Sequence, residues 1–193
     1  MKCLKQLTSF VLLATLAACG GDSTGPGDDD GDGLGRRGLL RFTYSGGGEA
    51  AGTFQAEGAI PASGTLGTWA GGGRIDDSEG ITVLITAVTR SGAEYDMMSI
   101  ELDGATTGTY DFGSECEVKC AYGAVAFGVA SWTDAADRAC TVDEGEIIVT
   151  SLSGTEAKGT FSGAGSCMTD EMEEDPFRVT AGSFDLPLVD LQG

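Results

Sequence analysis

Cysteine is the residue type with the most chemistry to offer in this chain, because the sequence contains six cysteines and no histidine. Without an imidazole the chain cannot form a histidine-containing catalytic triad, a cysteine–histidine pair or a histidine-ligated metal site. Its chemistry therefore depends on where the cysteines stand, which is at positions 3, 19, 116, 120, 140 and 167.

The four distal cysteines (116, 120, 140 and 167) are predicted to form two disulfides, because an even number of cysteines in an exported chain is typical of a disulfide framework. A four-thiolate zinc site is disfavoured, since the intervening spacings of 3, 19 and 26 residues contain no paired Cys-x-x-Cys motif. A redox dithiol at Cys116 and Cys120 is one residue too long for the usual motif, and Glu115 and Glu117 disfavour the thiolate.

The pairing of these cysteines follows from a predicted hairpin. Strands at 147–152 and 158–163 are expected to pair around a turn at 153–156, with Cys140 13 residues before Ser153 and Cys167 11 residues after Glu156. Antiparallel pairing brings such nearly symmetric positions together, with a bulge or loop absorbing the offset. We therefore predict that Cys140 is bonded to Cys167 and Cys116 to Cys120.

Acidic clusters are the other groups with catalytic capacity. Asp76, Asp77 and Glu79, or the acids within 170–175, could supply the carboxylate pair of a glycosidase-like hydrolase. Both clusters lie in loop-like sequence, whereas a general acid requires an apolar pocket that raises its pKa. We predict solvated loops, no catalytic residue and no cofactor.

One acidic segment resembles half of a calcium-binding loop. Asp28, Asp30, Asp32 and Gly33 occupy positions 1, 3, 5 and 6 of that motif. Position 12, which should be a bidentate Glu, is Leu39. The segment is therefore predicted to be an acidic linker, without a metal site.

The N-terminus has the pattern of an export signal. Lys2 and Lys5 precede an almost wholly apolar stretch at 7–18, which is shorter than the roughly 20 residues of a membrane-spanning helix. Residues 16–19, Leu-Ala-Ala-Cys, resemble the lipobox of bacterial lipoproteins. A buried N-terminal helix is the alternative, but the abrupt change to Gly, Asp, Ser and Pro after Cys19 disfavours it. The resemblance implies a signal peptide at 1–18 and lipidation of Cys19.

The same resemblance implies the location. Lipoproteins of this kind carry three acyl chains, palmitate among them, which together anchor stably. Gly20 is not the Asp that retains many of them in an inner membrane, so the outer membrane is expected. Residues 19–38 are predicted to be a flexible acidic tether. Loss of two lysines with the signal leaves 9 basic and 30 acidic side chains, a net charge of −21 that excludes nucleic-acid binding.

Residues 39–193 are predicted to form a single β-rich domain. Alternating apolar residues bounded by Gly, Asp and Ser recur along it, as at Leu40, Phe42 and Tyr44, while helical periodicity is nearly absent. The expected fold is an all-β antiparallel sandwich or barrel of about nine or ten short strands. The patterns at 145–152, 159–163 and 179–188, with Gly-Thr-Tyr at 108–110, resemble those of small uncharacterised β-rich bacterial lipoproteins, and that resemblance implies no activity.

Three functional classes remain open at this point. The favoured one is a non-enzymatic envelope lipoprotein, acting as a structural or partner-binding module. The first alternative is a barrel that carries a small apolar ligand in a cavity beside Gly123, Ala124 and Ala126. The second alternative is a carboxylate hydrolase. The protein or ligand partner stays unknown.

Overall fold

The computed structural model describes residues 35–47, 49–61, 67–78, 80–113, 116–130, 136–168 and 174–191. These residues form eleven strands and no helix. The strands are β1 (Arg37–Gly46), β2 (Glu49–Ala59), β3 (Trp69–Asp77), β4 (Gly80–Ser91), β5 (Glu94–Asp103), β6 (Gly108–Phe112), β7 (Cys120–Val129), β8 (Arg138–Val142), β9 (Glu144–Leu152), β10 (Glu156–Met168) and β11 (Glu174–Asp190). The all-β class predicted from the sequence is confirmed, with eleven strands where nine or ten were expected.

Hydrogen-bonded neighbours follow one another around a closed ring. The ring runs β3-β4-β5-β7-β6-β9-β10-β11 and returns to β3, and the hairpin of β1 and β2 extends from β11. β8 adds a second link, because it pairs with both β7 and β10. Most pairs are antiparallel, as predicted, but β6 with β7 and β11 with β3 are short parallel pairs. The architecture is therefore one mixed, ring-like sheet.

The longest strand, β11, has 17 residues and pairs with three neighbouring strands. It pairs with β10 along one edge. Its other edge pairs with β1 as far as Asp185 and then, at Leu188–Asp190, with β3. A β-bulge interrupts both main pairings near Ala181, whose φ of 51° lies in the left-handed region. The bulge locally increases the spacing between the outward-facing residues of β11 and those of its neighbours β1 and β10.

Inside the ring, alternate residues of every strand form one apolar core. Phe42 of β1 stacks on Phe54 of β2, with ring centroids 4.9 Å apart, and Phe161 of β10 meets Phe42 edge-on at 5.9 Å. The β1–β2 hairpin lies so close to β3 that a Cβ at Gly58 would stand 2.3 Å from the Thr68 carbonyl oxygen. Only glycine permits that approach of two backbones.

Part of the sheet also buries its opposite face. Val88, Met97 and Trp69 pack there with neighbours from β7 in a second apolar cluster. The strands β4 and β5 therefore carry apolar residues at successive positions, with Leu84 and Ile85 both buried. A search for strict apolar–polar alternation identifies such strands poorly, because both of their faces exclude water.

A buried tyrosine fixes the connection into β6. The Tyr110 hydroxyl donates to the Thr106 carbonyl oxygen at 2.8 Å and accepts from the Thr106 backbone N–H at 3.1 Å. Lys119 covers this corner, with its Nζ 5.5 Å from the Tyr110 ring centroid and 2.7 Å from the Thr107 carbonyl oxygen. These contacts attach the loop before β7 to β6.

Two disulfides brace the ring with the pairing expected from the hairpin count. Cys140 of β8 lies directly opposite Cys167 of β10, with Cα atoms 3.8 Å apart and exposures of 1% and 0%. Cys116 is bonded to Cys120 across a loop of sequence separation 4, with Cα atoms 5.5 Å apart. The first bridge ties β8 to the ring, and the second closes a tight loop at the start of β7.

Removing the two bridges should have unequal effects. Loop entropy over a separation of 27 residues predicts that replacing Cys140 and Cys167 with Ala costs about 3.5 kcal/mol, while the Cys116/Cys120 double variant costs about 2 kcal/mol. Urea unfolding monitored by tryptophan fluorescence, with both variants made in the Cys19→Ser chain, measures the difference. Equal destabilisation, or a larger loss from the short loop, would contradict the role given to the buried bridge.

Candidate functional site

Some of the site residues predicted from the sequence lie outside the described residues, and others have a structural role. Cys19, residues 20–34 of the predicted tether and the calcium-like segment at 28–33 lie outside the described residues. The last residues assigned to the tether belong to the folded domain instead, because Arg36 is ion-paired to Glu156 and Asp185 and β1 begins at Arg37. All four distal cysteines form disulfides, so their role is structural. Within the described ranges there is no cluster of three or more metal-ligating His, Cys, Asp or Glu side chains, and no helix long and apolar enough to cross a membrane.

The structure does not bring the two acidic clusters together. Asp76 stands on β3 and forms an ion pair with Arg74 at 3.4 Å. Asp175 is the second residue of β11, whereas β3 pairs with β11 only at Leu188–Asp190, at the other end of that strand. The side chain of Asp77, Glu79 and residues 170–173 lie outside the described part of the chain. The described carboxylates of these two clusters, Asp76 and Asp175, therefore do not pair with each other.

Neighbouring side chains occupy the position beside Gly123 where the alternative function of an apolar-ligand carrier requires a cavity. A Cβ built at Gly123 would stand 3.0 Å from both the Phe112 ring and Val142. Ala126 belongs to the second apolar cluster, away from the ring interior. The small residues of β7 thus make room for neighbouring side chains and do not leave space for a ligand at this point.

A concave site instead lies on the outer face of β9, β10, β11 and β1. It is a shallow, open cleft of about 400 Å³. Its lining combines hydroxyls, one cation, one carboxylate and one exposed apolar side chain with the backbone of the bulge. The lining residues are Arg41, Glu146, Ile148, Thr160, Phe161, Ser162, Ala181, Gly182 and Ser183.

Strand register explains how these residues converge. In antiparallel pairs, directly opposed residues share a face of the sheet. Arg41 opposes Ser183, Ser183 opposes Thr160, and Thr160 opposes Ile148, so the four form one row across four strands. Glu146 opposes Ser162 in the next row. The bulge at Ala181 lies between the two rows and provides the depression.

The cleft offers hydrogen-bonding groups that are held by the sheet. The Arg41 Nε donates to the Ser183 Oγ at 3.3 Å, which leaves the terminal guanidinium nitrogens without a partner in the described residues. Thr160 and Ser162 add hydroxyls to the floor. Ile148 is 39% exposed, which is unusual for a large apolar side chain of this domain. Together these groups can bind a polar molecule that has a small apolar part.

An ion-pair cluster stands on the same outer face, at the end of the β10 and β11 strands. Arg36 contacts Glu156 and Asp185, each at 2.8 Å, and Lys158 contacts the same two carboxylates at 3.6 and 3.5 Å. The hydrogen bonds from Arg36, the largest cause, and from Ser151 lower the pKa of the Glu156 carboxyl from its ordinary value. The four charges neutralise one another.

Comparison with known proteins adds no relative to this account. No protein-family model matches the chain, and neither a curated protein nor a solved structure matches it.

The sequence predicted none of the cleft residues as a site. Arg41, Thr160 and Ser162 are outward-facing members of ordinary alternating strands, so composition and spacing do not distinguish them. The signal that identifies them is the cross-strand register around Ala181, and that register is a property of the folded sheet.

Proposed function

We propose that this protein is a membrane-anchored lipoprotein of the cell envelope whose β-domain is a non-enzymatic binding module. The observation that carries the binding part is the polar cleft on the outer face of four paired strands. A site on paired strands keeps its geometry without the ordering cost that a loop site has to meet. The ligand is held by hydrogen bonds and charge, with no reaction required.

The anchoring part of the proposal comes from the sequence. The basic head, the apolar stretch at 7–18 and Leu-Ala-Ala-Cys at 16–19 support lipidation of Cys19 after export. Disulfides fit an oxidising compartment outside the cytoplasm, and the β-domain carries two. An outer-membrane location is proposed from Gly20. The acidic tether, without residues 36–38 that belong to the folded domain, would hold the domain away from the bilayer.

The two alternative functions have less support. A carrier of a small apolar ligand requires an internal cavity, but the space beside Gly123 is occupied by Phe112 and Val142. A carboxylate hydrolase requires two acids close together in a shielded site, whereas Asp76 is exposed and ion-paired with Arg74. The outer cleft favours reversible binding over both.

Replacing the proposed lipid-bearing residue tests the anchor. The Cys19→Ser chain should be recovered in the aqueous phase after detergent phase separation, because serine cannot accept the diacylglycerol through a thioether. The unchanged chain should partition into detergent, and Cys3→Ser, which alters only the signal, is the matched control. Retention of the Cys19→Ser chain in the detergent phase would refute lipid anchoring at this residue.

Ligand mapping by NMR tests the binding module. We expect ¹⁵N-labelled full-length Cys19→Ser protein to show amide shifts in β1, β9, β10 and β11 with at least one polar member of a probe panel. The panel contains amino acids, di- to tetrapeptides, mono- to trisaccharides and fatty acids of eight to fourteen carbons. Amide shifts depend on proximity, so they locate the bound probe.

Two results of the same experiment would overturn the proposal. Fatty-acid shifts centred on inward residues such as Ile100 and Val125 would establish the apolar carrier instead. An absence of shifts near the cleft with every probe at millimolar concentration would show that this face is not a small-ligand site.

A further inference from the structure

The outer face of the sheet carries unpaired charge of opposite sign on its two sides. On the β1 and β11 side, Arg41 and Arg178 have no carboxylate partner among the described residues. Arg36, Arg37 and Arg74 differ in this respect, since each contacts a carboxylate. In a chain with 30 acidic side chains, it is unusual for two arginines on one face to lack a carboxylate partner.

The opposite side of that face is acidic. Glu146 of β9 lies directly opposite Asp111 of β6, and both side chains are exposed. Like charges that oppose each other across a strand pair are destabilising. Neither carboxylate has a cationic partner in the described part of the chain, and Glu144 adds a third negative charge two residues along β9. The sheet thus holds the cationic Arg41 and the anionic Glu146 on opposite sides of the cleft that both residues line.

We propose that the cleft binds short peptides of two to four residues that have both termini free. This inference rests on the binding function proposed above and names its ligand class. The free carboxylate contacts the Arg41 guanidinium, and the free ammonium lies between Glu146 and Asp111. Thr160 and Ser162 hydrogen-bond to the peptide backbone, while Ile148 contacts an apolar side chain.

The dimensions of the face fit this ligand. The proposed ammonium position between Glu146 and Asp111 lies about three and a half inter-strand spacings from the Arg41 strand, or roughly 17 Å between backbones. The side chains of Arg41 and Glu146 line the cleft between these strands, which shortens the distance that the ligand has to span. An extended peptide spans about 3.3 Å per residue, so two to four residues cover the interval. A single amino acid is too short to contact both ends.

The chemistry also accounts for the acidic pair. An ammonium group between Glu146 and Asp111 donates up to three hydrogen bonds and neutralises their repulsion. The guanidinium of Arg41 can bind a carboxylate with two parallel hydrogen bonds through its free terminal nitrogens. Uncharged saccharides would satisfy the hydroxyls of the floor but leave both charged ends unpaired.

Calorimetry with blocked peptides tests the assignment. The probe is Ala-Leu-Ala, titrated into full-length Cys19→Ser protein beside its N-acetylated and C-amidated forms. Because hydrogen bonds between charged groups are stronger than neutral ones, blocking either terminus should weaken binding on the order of tenfold or more. Arg41→Gln should weaken the free peptide similarly and abolish the difference between the free and amidated forms. Glu146→Gln should abolish the difference between the free and acetylated forms.

Matched control variants on the same face distinguish direct contact with the peptide from the general electrostatic effect of the surface charges. Arg178→Gln on β11 and Glu144→Gln on β9 make the same charge changes on the same outer face but outside the cleft lining, so they should change affinity by less than about threefold. Circular dichroism and urea unfolding of all four variants establish that each is folded. The substituted side chains are exposed, and their loss should leave the fold intact.

Each outcome decides between the two proposals. Saccharide binding at the cleft without peptide binding would overturn the peptide assignment and leave the binding function standing. The placement of the termini would be overturned if neither blocking group changed the peptide affinity. It would also be overturned if Arg178→Gln lowered the affinity as much as Arg41→Gln does. An absence of any ligand shift at the cleft would overturn the proposed function itself.

Discussion

The backbone pairing of β11 is the constraint on which the rest of the structure depends. This strand pairs with β10 on one edge, while the other edge passes from β1 to β3. Pro187, which has no N–H, stands where the partner changes, and the next residue, Leu188, donates its N–H to the Thr155 carbonyl oxygen at 2.9 Å. The ring closes through this change of partner. Loss of β11 would leave β1, β3 and β10 without their common neighbour.

The same strand produces the cleft. Strict alternation along β11 would keep every outward side chain in a regular row, but the bulge at Ala181 exposes two successive residues and shifts the register on both sides. Most of the buried apolar residues lie in the core inside the ring or in the second cluster, so the outer face around the cleft is free to carry unpaired charges. The packing that stabilises the sheet and the proposed binding site therefore lie on opposite sides of β1, β9, β10 and β11.

The sequence predicted the strands whose inward residues are large. Leu40 and Phe42 alternate clearly, and the hairpin turn at Ser153, whose N–H donates to the Glu156 carbonyl oxygen, set a register that led to the Cys140–Cys167 pairing. It missed β2, β3 and β8. β2 and β3 contain Gly58 and the glycines at 71–73, where close contact with other chain segments demands small residues, so periodicity is weak. The cleft was also missed, because a bulge joins residues that are more than 100 positions apart, such as Arg41 and Ser183.

Hydrogen exchange followed by mass spectrometry tests the central role of β11 most directly. If β11 closes the ring, its amides between Val179 and Leu186 should exchange at least tenfold more slowly than those of β2, which has one strand partner in the described structure. They should also open together with β10 in a single cooperative step as urea is raised towards the unfolding transition. Exchange of β11 as fast as β2, or its opening while β10 stays protected, would contradict this account of the fold.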